Sequence, residues 1–307
     1  MPILVTGTSG QVGQALAKEL TPSGRLCLAT RQDLDLAQPS SIQTRLDAIK
    51  PSLIINPAAY TAVDKAESEP DLAFAVNAAA VGALGAWSMR NGVPLIHFST
   101  DYVFDGQASD PYEEDHPLHP LSIYGKSKAE GERLLLQSEA PCLIVRTAWV
   151  YSATGKNFVK TMIRLAAERD ELAVVSDQTG TPTSANQIAR FISHIVAEGR
   201  DALPQRFEQA SRLVHFTASG STSWHGFACA IVDGIKRRGS PVKTKAVKAI
   251  PTSAYPTPAV RPPFSRLATT RAERVFGFTP ETWETALEEV LDDITGEGQG
   301  VSTAALV

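Results

Sequence analysis

Cysteine is scarce: Cys27, Cys142 and Cys229 are the three in 307 residues, odd in number and far apart. Such spacing excludes a disulfide framework and reads as reduced, mostly buried thiols of a cytoplasmic protein. The histidines form no metal-ligand spacing with them, so no metal site is expected. There is no basic excess either. Lys and Arg number 29 against 33 Asp and Glu, a net charge of -4, and no basic run occurs. A nucleic-acid polymer is therefore not an expected partner, although a local basic cleft for a nucleotide is compatible with this balance. No apolar run reaches the roughly 18 residues that a bilayer span needs. The opening MPILVTGTSG lacks the charged and apolar regions of a signal peptide. No membrane partner is expected, and no internal repeat is visible.

What is present is an ordinary globular composition, 43% hydrophobic and 20% charged. The N-terminal half alternates strand and helix signals. PILVTG, RLCLAT, SLIINPA, PLIHFST and CLIVRTAWVY read as five strands. Between them QVGQALAKELT, SSIQTRLDAIK with a serine cap, DLAFAVNAAAVGALGAWSMRNG and SKAEGERLLLQSE read as helices. This alternation predicts an α/β fold, a Rossmann-like doubly wound parallel sheet with helices on both faces. Beyond Tyr151 the pattern loosens. NFVKTMIRLAAERDELAVV reads as a helix leading to a strand, RLVHFTASGSTSWHGFACAIVDGIKRRG as strand, loop and helix, and TSANQIARFISHIVAEG and TPETWETALEEVLDDI as helices, the last with Thr279 as a cap. A proline-rich loop is expected from Pro251 to Pro263. The expected division is a cofactor-binding domain at 1–149 plus a returning helix near 184–199. A smaller α/β substrate-binding cap follows, mainly 150–183 and 200–295, with a flexible tail at 296–307.

Ligands of open α/β sheets bind beyond the carboxyl ends of the strands, and the informative residues lie there. TGTSGQVG places Gly7, Gly10 and Gly13 between the first strand and the first helix. Glycines there let the backbone approach a pyrophosphate at a helix N-terminus. The spacing is G-x-x-G-x-x-G, a looser pattern than G-x-G-x-x-G. Arg31 follows the second strand, where an acidic residue would favour NAD. Arginine suits a 2′-phosphate, so NADPH is the expected cofactor, with NADH the alternative. Asp33 and Asp35 are close enough to serve the adenosine half.

STDYVF sets Ser99, Thr100 and Asp101 at the end of the fourth strand, and YGKSK then supplies Tyr124 and Lys128. Four residues apart on a helix, a phenol and an ammonium share one face. Ketone reduction needs a hydride and a proton on the developing alkoxide. The phenol can give that proton, the ammonium can favour the phenolate, and a hydroxyl can hold the carbonyl oxygen. Lys128 can also grip the nicotinamide ribose.

TGTSGQVG, STDYVF and YGKSK resemble the extended form of the short-chain dehydrogenase/reductase superfamily. NPAAYTAVDKAESEP, RTAWVY, NFVKTM, DQTGTPT, WHGFA and PTSAYPTPAVRP carry the likeness to the dTDP-4-dehydrorhamnose reductases, from about residue 3 to about residue 291. The resemblance implies reduction of the C4 keto group of dTDP-4-dehydro-L-rhamnose to dTDP-L-rhamnose. It makes Tyr124 the proton donor, Lys128 the ribose ligand and Thr100 a contact of the reacting sugar. It gives Gly10, Gln11 and Val12 to the pyrophosphate, Asp35 and Leu36 to the adenine, and Ala59, Tyr60 and Thr61 to the cofactor channel. Asp101, Tyr102 and Trp149 match substrate-contacting positions, and Arg261 suits the diphosphate. Some members join a metal-bridged homodimer through an acidic residue where this chain has Ala15, which cannot ligate. Two other readings stay open: an epimerase or dehydratase of the same superfamily, and a non-catalytic NADP-binding regulatory subunit.

Overall fold

The structure is a computed structural model and describes residues 1–296. The tail expected at 296–307 lies, but for Gly296, outside the described residues. The first half runs β1 (Ile3–Val5), α1 (Gln11–Glu19), β2 (Leu26–Leu28), α2 (Pro39–Ile49), β3 (Leu53–Asn56), α3 (Val63–Ala66), α4 (Pro70–Phe74), α5 (Ala80–Asn91), β4 (Leu95–Thr100), α6 (Ile123–Gln137) and β5 (Cys142–Thr147). Then come β6 (Val150–Tyr151), α7 (Phe158–Glu168), β7 (Glu171–Val175), β8 (Thr179–Gly180), β9 (Thr183–Ser184), α8 (Ala185–Ala197), α9 (Leu203–Gln209), β10 (Leu213–His215), β11 (Thr222–Ser223), α10 (Trp224–Arg237), β12 (Ala246–Ile250), α11 (Thr270–Phe276) and α12 (Trp283–Thr295).

Six strands form one parallel sheet in the order β2-β1-β3-β4-β5-β10. The chain leaves β1 to one side for β2 and returns on the other side for β3. The switch point of the sheet therefore lies between β1 and β3. Side chains of a strand alternate between faces, and two cores follow from that. Ile3, Val5, Leu53, Ile55, Ile96 and Phe98 pack with α1, α8, α9 and α11. Leu4, Ile54, Leu95, Cys142 and Ile144 pack with α2, α5 and Leu135 of α6. A third core joins α7, α10, α12 and β7 away from the large sheet.

Four details depart from the sequence reading. The serine cap of α2 is absent: Gln38 precedes the helix and Pro39 opens it, its missing N–H costing nothing in the first turn. Thr282, not Thr279, caps α12, accepting from the Thr285 N–H at 3.2 Å. RTAWVY is not one strand, because Trp149 takes a left-handed φ of 48° and separates β5 from β6. Finally, Pro70–Asn91 forms one helical run of 22 residues, long and apolar enough to cross a membrane by length and composition. Asp71, Asn77 and Arg90 interrupt it as an apolar run in the sequence. Half of the apolar stretch is buried inside the fold, where α5 packs on α2 and α6. Residues Ala75–Ala79 within it form one wide turn of π type, the kind of local bulge that often marks functional sites.

Candidate active site

The glycine turn lies at the switch point. Gly7 adopts φ +57°, and a Cβ there would stand 2.8 Å from the Ala58 Cα beyond β3. The Gly10 N–H returns to the Gly7 carbonyl at 2.9 Å. A Cβ on Gly13 would approach the Gly7 oxygen to 2.3 Å, so only glycine lets α1 sit against the turn. Gly10 precedes α1 without a side-chain cap, and the first turn holds no acidic residue. Its N–H groups are thus free to bind an anion, which is the fit that a dinucleotide pyrophosphate requires. The Gln11 side chain is already engaged. Its Oε1 accepts from Ser152 Oγ at 3.0 Å and Asn157 Nδ2 at 2.8 Å, tying the turn to the loop after β6. Val12 packs partly buried against the sheet core.

Arg31 stands exposed beyond β2 and pairs with Asp35 at 3.3 Å. Asp33 folds back on Thr30, accepting from its N–H at 2.9 Å and its hydroxyl at 2.7 Å. Leu36 is buried against α2. After β3 come Ala59, Tyr60 and Thr61. The Asn77 amide of the wide turn holds Tyr60 from both sides, accepting from its N–H at 2.9 Å and donating to its carbonyl at 3.0 Å. Asn77 also donates to Ser127 Oγ at 3.0 Å, and Ser127 donates to the Tyr124 carbonyl at 2.8 Å. A glycine at 131 makes this approach feasible, since a Cβ there would stand 2.0 Å from the Asn77 carbonyl oxygen.

Ser122 caps α6 by accepting from the Gly125 N–H at 3.1 Å, so Tyr124 and Lys128 do share a helical face. Their side chains go to different places. Tyr124 is buried edge-on to Tyr102, with ring centroids 5.5 Å apart. Burial pushes its phenol far above the ordinary range, and the facing Thr100 hydroxyl only partly offsets that. Lys128 Nζ donates to the Phe98 carbonyl at 2.6 Å and lies 3.4 Å from His97 Nε2. Burial lowers its pKa to about 8. The ammonium therefore does not draw the phenol down, as the one-face argument expected, because it is directed into the sheet.

Thr100 donates to Asp101 Oδ1 at 2.9 Å and the Ser265 hydroxyl also faces the carboxyl, while among the described residues Asp101 Oδ2 is buried with no hydrogen bond of good geometry. Burial raises this carboxyl to about 6. Across the cleft, Arg261 in the proline-rich loop donates to Tyr102 OH at 3.2 Å and to Asp64 Oδ2 at 2.8 Å. Trp149 stacks on Trp224, 3.6 Å between ring centroids and 7° between planes. Gly180 lies under the indole, where a Cβ would stand 2.6 Å away. Ala15 lies on α1 apart from this cleft, beside α8, where Arg190 pairs with Glu289 at 2.9 Å.

Residues 1–295 match the model of the RmlD substrate binding domain family. A dTDP-4-dehydrorhamnose reductase of Burkholderia thailandensis is 42% identical over 301 residues, covering 97% of this chain and 100% of the relative. The chain belongs to the dTDP-4-dehydrorhamnose reductase family. Its fold is similar to that of the Clostridium acetobutylicum reductase at a TM-score of 0.87 and 37% identity, covering 96% of this chain and 99% of that one. A Bacillus anthracis reductase, solved in complex with NADP, aligns at a TM-score of 0.85 and 34% identity over 95% of this chain and 100% of its own. Next to the candidate residues, the sequence reading missed Asn77 on Tyr60 and Ser127, Trp224 on Trp149, and His97 with Asn56 beside Lys128. Asn56, Asn77 and His97 carry one signal in common, a polar residue inside an apolar strand or helix. Trp224 had no signal beyond its place in WHGFA.

Proposed function

We propose that this chain reduces the C4 keto group of dTDP-4-dehydro-L-rhamnose to dTDP-L-rhamnose with NADPH, NADH being the alternative donor. The observation that supports this reading is the Tyr124 phenol facing the Thr100 hydroxyl at the carboxyl edge of β4, with Lys128 one helical turn along on the Phe98 carbonyl, beside an uncapped glycine turn at the switch point. The turn at Gly7, Gly10 and Gly13, with the Gln11 and Val12 backbone, would hold the pyrophosphate. Arg31 would take the 2′-phosphate, Asp35 and Leu36 would flank the adenine, and Ala59, Tyr60 and Thr61 would line the channel. Bound there, the reduced nicotinamide supplies the hydride.

The chain's own residues do the rest. Burial keeps the Tyr124 phenol protonated, so it retains the proton that the developing alkoxide, a far stronger base, takes from it. The Thr100 hydroxyl turns from Asp101 to the same oxygen and stabilises its growing charge. Lys128, anchored on the Phe98 carbonyl, would turn its remaining N–H to the ribose hydroxyls. Trp149, braced by Trp224, covers an apolar face of the sugar. The open acceptor of Asp101 takes a sugar hydroxyl, Tyr102 borders the same space, and Arg261 faces the diphosphate.

We further propose that residues 1–149, with the returning helix near 184–199, serve the cofactor, and that 150–183 and 200–295 mainly serve the sugar nucleotide. The separate core of α7, α10 and α12 supports that division, while α9, β10 and α11 rejoin the large sheet. The three free thiols suit a cytoplasmic setting. Loss of reduced-nicotinamide absorbance with the enzymatically generated 4-keto-6-deoxy dTDP sugar, its epimerase added, tests the reading. Formation of dTDP-L-rhamnose supports it. Tight NADPH binding without oxidation would favour the regulatory alternative or another sugar nucleotide.

A further inference from the structure

A row of polar side chains crosses the sheet on the face that packs against α2, α5 and α6. In β3 and β4, Asn56 is in register with His97, and Thr6 follows β1 one step beyond the Val5–Ile55 pair. The preceding row on this face is Leu4, Ile54 and Leu95, wholly apolar. Thr6, Asn56 and His97 are all buried to 1% exposure or less. Burying three polar side chains is costly unless each is satisfied, and here each is. Thr6 Oγ1 meets Asn56 Oδ1 at 2.5 Å, Asn56 Nδ2 meets His97 Nδ1 at 3.0 Å, and His97 Nε2 faces Lys128 Nζ at 3.4 Å. The row thus links the strand end below the glycine turn to the lysine of the reactive helix, with no water needed.

The hydrogen-bonding options of the row are coupled to the charge on Lys128. A charged ammonium needs Nε2 as an acceptor, which places the imidazole proton on Nδ1 and requires the Asn56 oxygen to face it. A neutral amine accepts from Nε2–H, and the Asn56 amide then turns its NH2 to Nδ1, the orientation seen here, with Thr6 donating to the amide oxygen; the charged state needs the amide turned over, its NH2 then donating to Thr6 Oγ1. The side-chain amide allows both, because its two ends differ only in donor and acceptor. Burial and the neighbouring lysine hold the imidazole neutral. The other titratable group acting on Lys128 is Glu132, one turn further along α6, which Arg146 of β5 holds by two hydrogen bonds at 2.9 and 2.7 Å.

We propose that His97, held by Asn56, is a positioning residue for Lys128: it fixes the ammonium beside the Phe98 carbonyl and supports its charged state during reduction. This rests on the reductase reading above. Removing the imidazole leaves Lys128 with one acceptor fewer in a buried site, so its charged form weakens. In His97→Leu the alkaline limb of the kcat profile should move down by about one pH unit, which is about a tenfold loss of kcat on that limb. His97→Gln, whose amide oxygen reaches the place of Nε2, should restore most of it. Asn56→Leu should shift the limb in the same direction and serves as the test if His97→Leu does not fold. An independent readout is long-range ¹⁵N–¹H NMR of histidine-labelled, cofactor-free protein. There the neutral His97 should change tautomer near pH 8, as Lys128 gives up its proton. Flat His97 shifts through that range, or an unmoved alkaline limb in the folded variants, would overturn the proposal while wild-type turnover leaves the reductase reading intact. Absence of wild-type turnover would remove both.

Discussion

Lys128 and Tyr124 lie one helical turn apart, yet the lysine reaches the Phe98 carbonyl at 2.6 Å while the phenol lies against Tyr102 and faces Thr100. Two groups that look like a pair in sequence thus have separate supports. Lys128 is held by the sheet, and Tyr124 by the loop that follows β4.

The first consequence concerns Tyr124→Phe. The ring remains, so its packing against Tyr102 and the wider fold should survive. The proposed proton donor is lost, and turnover should fall by roughly 10² to 10⁴. Steady-state kinetics beside thermal unfolding and NADPH titration checks this. Near-normal turnover would refute the donor assignment.

Asp101 gives a prediction for stability. Its carboxyl titrates at about 6 in the folded chain, against 3.8 as the ordinary value, because burial disfavours the charge. The folded state therefore binds the proton more tightly than the unfolded state. Stability contributed by that proton is complete at low pH and is lost as pH rises from about 4 through about 6. Asp101→Asn has no charge to bury. It should be similar to wild type near pH 4 and more stable at pH 7 by up to about 3 kcal/mol. Denaturant unfolding at the two pH values measures the difference. Sugar binding should weaken in the same variant, as an amide cannot accept at both of its ends.

Trp149 offers a separation of binding from chemistry. Trp149→Ala removes the indole that stacks on Trp224 but leaves the glycine turn and α6 untouched. KM for the sugar nucleotide should rise about tenfold, the scale of one lost aromatic contact. NADPH affinity, followed by fluorescence titration, should stay unchanged.

Arg31 offers a test of the choice between the two nicotinamide donors. Its guanidinium is exposed, with Asp35 its one partner among the described residues, and can reach a phosphate without breaking a buried contact. Arg31→Ser should raise KM for NADPH by about tenfold, in line with one lost charge-assisted contact, and leave KM for NADH nearly constant. Equal effects on both donors would show that the arginine does not read the 2′-phosphate.

Much of this architecture was legible. Strand and helix alternate plainly from Ile3 to Thr147, the glycine turn follows β1, and Gly92 closes α5 in the left-handed conformation expected of a stop signal. What escaped has physical causes. α9 and α11 are seven residues each, too short to develop a clear helical period. Trp149 was read as a strand residue because nothing local announces a positive φ at tryptophan. Lys128 was expected to act on Tyr124 because helical spacing fixes a face, not the direction in which a long flexible side chain turns. His97 and Asn56 were hidden for a related reason: their contact depends on the register of β3 against β4, which one sequence does not print.

The wide turn at Ala75–Ala79 has one more consequence. A residue in an α-helix advances the chain by about 100° of rotation. The turn accommodates a phase slip, so that Asn77 meets Tyr60 and Ser127 while Leu84 and Trp87, further along, still enter the core. Deleting a single alanine there would return the bulge to an ordinary α-helical turn and leave the helix on either side in phase, with Leu84 and Trp87 still in the core. The loss would fall on Asn77, whose contacts to Tyr60 and Ser127 depend on the wider turn. The extra residue therefore serves the asparagine's placement, although nearly every side chain in the turn is small and, taken alone, replaceable.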